Sequence, residues 1–235
     1  NSFKPLLNII FKLHMTKSIL TKKILDWYDN NKRSLPWRKK LSQVKREYYT
    51  LVSEFMLQQT QVVTVVPYFN NFIKDIPNVN SLAKINEQKL LKYWEGLGYY
   101  SRVRNLKKTA QILKKNFKGR LPKTIEELKL LPGIGEYTAN AIMAIGFNKP
   151  YIPLDGNIER VIKRLLNLKL ISEISKENLI IKKKIFGTSV RASDYAQALM
   201  ELGALICRPK NPLCGQCPLT KNCKSFKNND FEIIK

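Results

Sequence analysis

The sequence predicts an all-α protein, and three observations lead to that class. Apolar residues recur at the spacing of a helix face along most of the chain, and no stretch alternates as a half-buried strand would. Gly133 and Gly135 stand between two short helical stretches, as in a tight helix–helix junction. All four cysteines fall within 17 residues near the end of the chain, which indicates one compact loop: Cys207, Cys214, Cys217 and Cys223.

The first half of the chain contains four expected helices. The second of them is apolar enough to be buried, and Pro67 is expected to kink or end it. The third runs into a turn that contains two glycines, Gly96 and Gly98. In order, the expected helices are Thr16–Asn30, Leu51–Val66, Leu90–Trp94 and Arg102–Phe117.

The second half of the chain contains four more. Thr124 and Glu127 have the spacing of a capping box at the start of a short helix that ends before Pro132. Gly146 stops the next helix, and the one after it has apolar residues on a single face. The last three helices are expected over Tyr137–Ile145, Ile158–Leu166 and Tyr195–Ile206, the last leading into the cysteine loop.

The cysteine spacing, C-x6-C-x2-C-x5-C, predicts a metal centre. A chain of 27.3 kDa builds a core without disulfide staples. Four thiolates hold either zinc or an iron–sulfur cluster. Only the Cys214–Cys217 pair has the short spacing usual for structural zinc, and the wide first gap favours the bulkier cluster.

The charge predicts a polyanionic partner. Lysine and arginine number 42 against 18 acids, which gives a formal net charge of +24. Such a field attracts nucleic acid first and an anionic membrane second. AT-rich coding accounts for lysine in place of arginine, but it does not account for the scarcity of acids.

The termini and the single histidine exclude other classes. No apolar run reaches the roughly 18 residues of a membrane span, so no membrane partner is expected. Residues 1–25 lack acids and faintly resemble a transit peptide, but residues 1–15 are interpreted as an extension before a start at Met15. His14 lies in this tail, which excludes histidine catalysis. Free thiols that hold a metal centre fit a reducing, cytoplasmic compartment, and a nucleic-acid partner would place the protein at the nucleoid.

The glycine junction between Leu131 and Gly135 is a candidate anion site. Its two glycines let the backbone turn tightly and approach another molecule. The amides exposed at the start of the next helix then bind one phosphate without reading sequence. An ordinary helix–helix turn is the alternative interpretation.

Taken together, the motifs resemble one enzyme family. LPGIGEYTA, PLDGNIERV with Asp155, and the cysteine loop resemble the iron–sulfur branch of the helix–hairpin–helix DNA glycosylases. Within that branch, LPWR, VSEFMLQQTQV and GLGYYSRVRNL are similar to the MutY-type adenine DNA glycosylases. The resemblance extends from about residue 16 to residue 225.

The resemblance implies a two-lobed helix–hairpin–helix DNA glycosylase fold with DNA between the lobes. One lobe is expected over residues 38–151, and residues 16–37 with 152–235 form the other, which carries a 4Fe–4S cluster in the 207–223 loop. The implied activity is monofunctional release of adenine mispaired with 8-oxoguanine or guanine in double-stranded DNA, by a monomer.

Two carboxylates carry the implied chemistry. Glu54 is the only charge in a mostly apolar stretch, and desolvation would raise the pKa of its carboxyl, as a general acid requires. A solvated or capping role at a helix start is the alternative. The resemblance makes Glu54 the acid that protonates adenine N7. Asp155 reads alone as an N-cap, and the resemblance adds stabilisation of the sugar cation and assistance to the attacking water.

Tyr137 separates the subclasses. Bifunctional relatives such as endonuclease III carry at this position a lysine that forms a Schiff base with the sugar and cuts the strand. A tyrosine therefore implies a monofunctional enzyme. Some thymine-mismatch glycosylases also carry tyrosine here, so a mismatch enzyme acting on thymine or another base remains an alternative, as does a non-enzymatic cluster-bearing DNA-binding module.

The resemblance also assigns residues that contact DNA. Glycosylases extrude the target base and fill the gap that it leaves. The residues implied for that task are Gln58, Gln59, Thr60 and Tyr99, with Gln59 and Tyr99 intercalating, and Gly133 and Gly135 bind a phosphate. Trp37 and Arg38 are implied to line the adenine pocket, with Glu201 reaching the base edge. Basic residues surround the cysteine loop: Arg208, Lys210, Lys221 and Lys224.

Two departures from the family pattern stand out. The segment KKLSQVKREYYTLVS between Arg38 and Glu54 is longer than usual and lacks an aspartate–proline–tyrosine step, which puts the pocket wall in doubt. The chain ends 12 residues after Cys223, where the family usually continues into a Nudix-like domain that reads 8-oxoguanine. We therefore expect either a truncated form or weaker discrimination of the lesion.

Overall fold

The computed structural model describes residues 19–168 and 189–230. Within these ranges every regular element is helical, as the sequence predicts. Contacts divide the described chain into two compact units: Ser34–Pro153 forms one, and the described residues on either side of it form the other. The lobe boundaries expected at residues 38 and 151 stay predictions, and the expected extension, residues 1–15, lies outside the described residues.

The described ranges contain eleven α-helices. A π-helical turn follows two of them directly: Ile142–Gly146 after the helix that ends at Ala141, and Leu202–Ile206 after the helix that ends at Glu201. Short 3₁₀ turns cover Pro36–Arg38, Cys214–Gln216 and Thr220–Asn222. The helices are α1 (residues 19–31), α2 (Gln43–Leu57), α3 (Val62–Asp75), α4 (Val79–Lys84), α5 (Glu87–Lys92), α6 (Ser101–Asn116), α7 (Ile125–Lys129), α8 (Glu136–Ala141), α9 (Gly156–Leu166), α10 (Ala192–Glu201) and α11 (Lys224–Lys227).

The single buried helix expected over Leu51–Val66 is wrong. Helix α2 ends at Leu57 and α3 begins at Val62, with a turn between them in which Gln59 has a φ of 57°. Residues with long side chains rarely adopt this left-handed conformation. The apolar composition of Leu51–Val66 therefore gave no indication that the helix is interrupted at Gln59. Pro67 lies inside α3 and does not end it.

The core of the Ser34–Pro153 unit is apolar and continuous. Helix α2 runs through it, and side chains of α3, α6 and α7 pack around it. Among its fully buried members are Leu51, Phe55, Val65, Phe72, Trp94, Leu106 and Leu128. Burying such large side chains contributes about 1.5–3 kcal/mol each, which makes α2 a rigid support for what it carries.

The remaining helix boundaries follow from local chemistry. The Thr124 hydroxyl accepts the Glu127 N–H at 3.3 Å, so Thr124 caps α7 as expected, while the Glu127 carboxylate accepts the Thr124 hydroxyl at 2.7 Å. The apolar stripe expected along α9 is buried, and the basic residues Arg160, Lys163 and Arg164 of the same helix are buried as well. Asn167 ends α9 with a left-handed φ of 57°. The buried apolar residues of α9 are Ile158, Val161, Ile162 and Leu165.

Candidate functional site

Helix α2 carries two buried acids in different surroundings. Glu54 is 5% exposed and lies between Ser53 and Phe55 on a segment whose residues are all buried. Glu47, two turns earlier, is 3% exposed and accepts hydrogen bonds from the Arg120 guanidinium and from Gln43. Glu47 is thus engaged in an ion pair with Arg120, whereas the neighbours of Glu54 along α2 are mostly apolar.

The turn after α2 contains the first group of predicted DNA contacts. Gln58 donates from Nε2 to the Gly133 carbonyl at 3.3 Å, so this turn and the glycine junction lie side by side. Gln59 is exposed and carries the left-handed φ, and the Thr60 hydroxyl donates to the Gln58 carbonyl at 3.4 Å. The structure therefore brings together two motifs that are far apart in the sequence.

The turn before α6 presents Tyr99. Gly96 and Gly98 have φ values of 92° and 69°, and Tyr99 follows with a φ of 48° and 63% exposure. The Trp94 indole donates to the Gly98 carbonyl at 3.2 Å and fixes this turn to the core. A large aromatic side chain exposed on a left-handed residue is unusual, and it fits the predicted contact with DNA bases.

Arg102 is a further residue of this region, and no motif of the sequence indicates a role for it. The residue is 6% exposed, and its guanidinium donates to carbonyls of both turns just described, Gln58 in the first and Leu97 and Gly98 in the second. An arginine in a helix of mixed polarity reads as surface. The available signal was its place on the buried face of α6, one residue before Val103 and one turn before Leu106.

The glycine junction is built for close packing on one side and open space on the other. Gly133 has a φ of 80°, and a Cβ there would lie 2.7 Å from Phe55 and 3.0 Å from Asn105. A Cβ on Gly135 would meet nothing within 4 Å. Gly135 is the extended N-cap of α8, whose second residue is the half-buried Tyr137.

The residues predicted to line a base pocket have different surroundings. Trp37 is buried, with its ring edge-on to Phe69 at 5.1 Å, and Arg38 is half-buried beside it. Glu201, in the other unit, is 0% exposed and accepts both Nε and Nη2 of Arg33, the latter at 2.6 Å. Glu201 is thus held by an ion pair, and its predicted contact with a base edge stays a prediction.

Asp155 caps helix α9. Its Oδ1 accepts the Ile158 N–H at 2.7 Å and its Oδ2 accepts the Asn157 amide at 3.0 Å. Burial raises the pKa of the Asp155 carboxyl, while these hydrogen bonds and the charge of Arg160 oppose the rise. The carboxylate is therefore oriented by its own helix, and its predicted N-cap role is confirmed.

Two arginines on α9 hold the start of the cysteine loop. Arg160 donates to the Cys207 carbonyl and to the Gly203 carbonyl, each at 2.8 Å. Arg164 donates to the Arg208 carbonyl at 2.6 Å and lies 3.6 Å from the Cys207 sulfur. The charge of these guanidiniums stands next to the thiols, where it would offset a thiolate.

The four cysteines are free thiols and half-buried. Burial raises the pKa of Cys217 to about 11, with smaller contributions from Cys207, Cys214 and Cys223 and against a hydrogen bond from the Leu219 backbone. Burial also raises the pKa of Cys214 and Cys223, again with contributions from the other cysteines. Among the described residues, no group of three or more His, Cys, Asp or Glu side chains is arranged to hold a metal ion.

Comparison with known families decides the class of the protein. The family profile described as "HhH-GPD superfamily base excision DNA repair protein" matches residues 52–184. The chain belongs to this superfamily. The matched segment includes Glu54, the turn after α2, the glycine junction and Asp155.

Among the members of the HhH-GPD superfamily, the chain is similar to adenine DNA glycosylases. It is 43% identical to an adenine DNA glycosylase of Buchnera aphidicola (subsp. Baizongia pistaciae), over 93% of this chain and 62% of the relative. It is 38% identical to the human adenine DNA glycosylase, over 90% of this chain and 40% of the relative. These values confirm the resemblance predicted from the motifs, and the chain spans about three-fifths or less of the length of these relatives.

Solved structures confirm the fold. A thermostable thymine-DNA glycosylase superposes with a TM-score of 0.79 at 24% identity, covering 92% of this chain and 98% of that one. An endonuclease III–DNA complex superposes with a TM-score of 0.70 at 21% identity, covering 91% and 97%. The all-α helix–hairpin–helix glycosylase fold is thus confirmed. Among the described residues, no helix has the length and apolar character needed to cross a bilayer.

Proposed function

We propose that this chain has the activity of an adenine DNA glycosylase in base excision repair. It hydrolyses the N-glycosidic bond of adenine paired with 8-oxoguanine or guanine in double-stranded DNA, and it leaves the strand intact. The observation that carries the proposal is the similarity to adenine DNA glycosylases along about nine-tenths of the chain. The buried Glu54, whose neighbours Val52, Phe55 and Met56 are apolar, supports the same chemistry.

Glu54 acts as the general acid. Adenine is a poor leaving group until N7 takes a proton, and the buried Glu54 carboxyl is the proposed source of that proton. Protonation makes the departing base neutral, so the C1′–N9 bond breaks toward an oxocarbenium-like sugar. The neighbouring Glu47 is engaged by Arg120 and so does not compete for this role.

Asp155 acts as the ionised partner. Its carboxylate stabilises the positive sugar and assists the water that attacks C1′, as the second carboxylate does in glycoside hydrolysis. Burial raises the pKa of its carboxyl, and the hydrogen bonds from Ile158 and Asn157 oppose that rise without cancelling it. Tyr137 supplies no amine for a Schiff base, which supports hydrolysis without strand cleavage.

Three groups of residues are proposed to contact DNA: the glycine junction, the two turns that fill the gap, and the residues of the base pocket. Gly133 and Gly135 let the amides at the start of α8 approach one phosphate, and open space around Gly135 supports this role. Gln58, Gln59, Thr60 and Tyr99 fill the gap left by the extruded adenine. Trp37 and Arg38 are proposed to line the base pocket, and Glu201 is proposed to reach the base edge. The net charge of +24 supplies affinity for the duplex, which a monomer of this chain binds.

We also propose that Cys207, Cys214, Cys217 and Cys223 hold a 4Fe–4S cluster. The cysteine spacing, the mutual effect of the thiols on their pKa values and the Arg164 guanidinium beside Cys207 support this assignment, although the four side chains are not arranged around a common metal position in the described residues. When bound, the cluster would hold the loop in one conformation, so that the basic residues around it face DNA. We expect the protein to work in the cytoplasm at the nucleoid.

Release of free base from defined mispairs tests the proposal. Duplexes carry adenine opposite 8-oxoguanine, guanine or cytosine, and a fourth carries thymine opposite guanine. We expect adenine release opposite 8-oxoguanine and guanine, intact abasic strands until base treatment, and little borohydride-trapped adduct. Release of thymine without adenine would assign the chain to mismatch repair of thymine, and tight binding with no release would leave a DNA-binding module.

A further inference from the structure

The two turns predicted to enter the DNA gap share one buried support. The turn after α2 carries Gln58–Thr60, and the turn before α6 carries Tyr99. Both Gln59 and Tyr99 have left-handed φ values, 57° and 48°. Such a conformation costs free energy in a residue with a side chain, so it persists only where surrounding contacts impose it.

Arg102 supplies those contacts. Nη1 donates to the Met56 carbonyl at 3.0 Å, to the Gln58 carbonyl and to the Thr60 hydroxyl at 3.1 Å. Nη2 donates to the carbonyls of Leu97 at 3.0 Å and Gly98 at 3.1 Å. One nitrogen of the fork therefore serves the first turn, and the other serves the second.

The guanidinium is fixed by packing as well as by hydrogen bonds. Its carbon lies 5.5 Å from the ring centroid of Trp94 and 5.5 Å from that of Tyr99. Trp94 is a fully buried member of the core, so one ring anchors the fork and the other belongs to the turn that the fork supports. An arginine keeps its charge at neutral pH even where burial lowers its pKa, and charged donors make the stronger hydrogen bonds.

We propose that Arg102 is a positioning residue that couples the two gap-filling turns, so that Gln59 and Tyr99 enter the duplex in one fixed register. This inference rests on the proposed function. Arg102 does not touch the reacting atoms. It acts through the two turns, and its loss impairs extrusion of the base and spares the cleavage chemistry of Glu54 and Asp155.

The charge alone does not explain this role, because the two turns lie in different directions from one fork. A lysine has a single terminal nitrogen and cannot donate to both turns in the planar geometry of a guanidinium. Arg102→Lys therefore keeps the charge and removes the coupling. Arg104→Lys is the matched control, since Arg104 lies on the same helix, is half-exposed and pairs with Glu87 at 3.1 Å.

The first test compares two substrates under single-turnover conditions. In one duplex the adenine is paired opposite 8-oxoguanine, and in the other it lies in an unpaired bubble, where extrusion costs little. We expect Arg102→Lys to slow release from the paired duplex by about 10- to 100-fold, the range for misplaced positioning groups. Release from the bubble should fall far less, and Arg104→Lys should match the wild type on both. An equal loss on both substrates would overturn the proposal.

The second test does not depend on activity. Amide hydrogen exchange in the free protein reports the two turns separately. Gly98→Ala strains only the Tyr99 turn, because its φ is 69° and an added Cβ meets nothing within 4 Å. We expect faster exchange in this turn and also in the Gln58–Thr60 turn, since Arg102 joins them. Faster exchange confined to the Tyr99 turn would contradict the coupling.

These two tests separate the inference from the proposed function. If the wild type releases no adenine from any duplex, the proposed function fails, while the exchange measurement still tests the coupling. If the wild type releases adenine but Gly98→Ala leaves the other turn unchanged, the coupling fails alone. Should Arg102→Lys not fold, the Gly98→Ala measurement decides.

Discussion

The two units of the chain hold their candidate functional side chains by different means. In Ser34–Pro153, Glu54 stands on a helix surrounded by fully buried apolar side chains. In the other unit, Asp155 and the cysteine loop are held by hydrogen bonds, from Ile158 and Asn157 to the carboxylate and from Arg160 and Arg164 to the loop. Hydrogen-bond donors favour the charged form of a carboxylate, and Asp155 accepts two such bonds, although burial raises the pKa of its carboxyl.

This difference has consequences for stability. Apolar packing is spread over many contacts, so no single polar substitution on the surface of α2 should disturb it. The cysteine loop has few buried side chains, and its two 3₁₀ turns have none. It therefore depends on its arginine contacts and on the proposed cluster, which makes it the more fragile of the two regions.

Substitution of the two acids of α2 gives the largest expected effect. Glu54→Gln should lower single-turnover adenine release by about 10²–10⁴, since the amide keeps the shape and removes the proton source. DNA affinity should stay within a few-fold, because phosphate contacts elsewhere supply most of it. Glu47→Gln is the control: it breaks the ion pair with Arg120 and should lower stability with little effect on the rate of the folded fraction. Loss of more than about half of the rate in Glu47→Gln, with Glu54→Gln active, would reverse the assignment.

Disruption of the cysteine loop should have the next largest effect, and it should separate the two regions. The wild type is expected to contain about four iron atoms per chain, and Cys217→Ser should lose iron and soluble yield. Hydrogen exchange should accelerate across residues 207–223 while the core amides of α2 stay protected. Stoichiometric zinc in the wild type would refute the cluster, and equal loss of protection in α2 would refute the independence of the two regions.

Periodic apolar patterns predicted most of the helices because burial imposes them locally. Helix α9 is the best example, since its four buried apolar residues are all visible as one stripe. The break after Leu57 was missed because its cause lies elsewhere in the chain. Arg102 holds the Gln58 carbonyl from 44 positions away, and no pattern near Gln59 indicates a left-handed residue.

The candidate site shows the same limit. The motifs were sufficient to identify Glu54, Asp155 and the four cysteines as candidate site residues. Their partners could not be identified, because the pair Arg33–Glu201 joins residues 168 positions apart, and the contact of Gln58 with Gly133 spans 75. Sequence spacing finds side chains that share a helix or a loop, while long-range partners appear only in the fold.

The two glycines of the junction offer a smaller and sharper test. Gly133→Ala places a methyl 2.7 Å from Phe55 on a residue with a φ of 80°, so it should lower the free energy of unfolding by about 1–3 kcal/mol. Gly135→Ala enters open space and should change that free energy by less than about 0.5 kcal/mol. Urea unfolding gives these values, and fluorescence anisotropy gives DNA affinity.

In the proposed function, Gly135→Ala weakens DNA binding although it leaves the fold intact, because its methyl points into space assigned to a phosphate. If Gly135→Ala is stable and its DNA affinity equals that of the wild type, the proposed phosphate contact at Gly135 is wrong. Loss of stability in Gly135→Ala beyond that of Gly133→Ala would contradict the packing described for the junction.

The pH dependence of adenine release tests most directly the claim that two carboxylates in opposite protonation states do the chemistry. Asp155 must be ionised, and burial raises its pKa, so the rate should fall as the pH drops through a value above that of an ordinary aspartate. Glu54 must carry a proton, so the rate should fall again at high pH.

Asn157→Ala removes a hydrogen bond that lowers the Asp155 pKa, and it should move the acidic limb to higher pH while the alkaline limb stays. Asn140→Ala is the control: in the wild type the Asn140 amide donates hydrogen bonds to Glu136 in the other unit, so its loss should move neither limb. A profile without an alkaline limb, or an acidic limb unmoved by Asn157→Ala, would contradict the account.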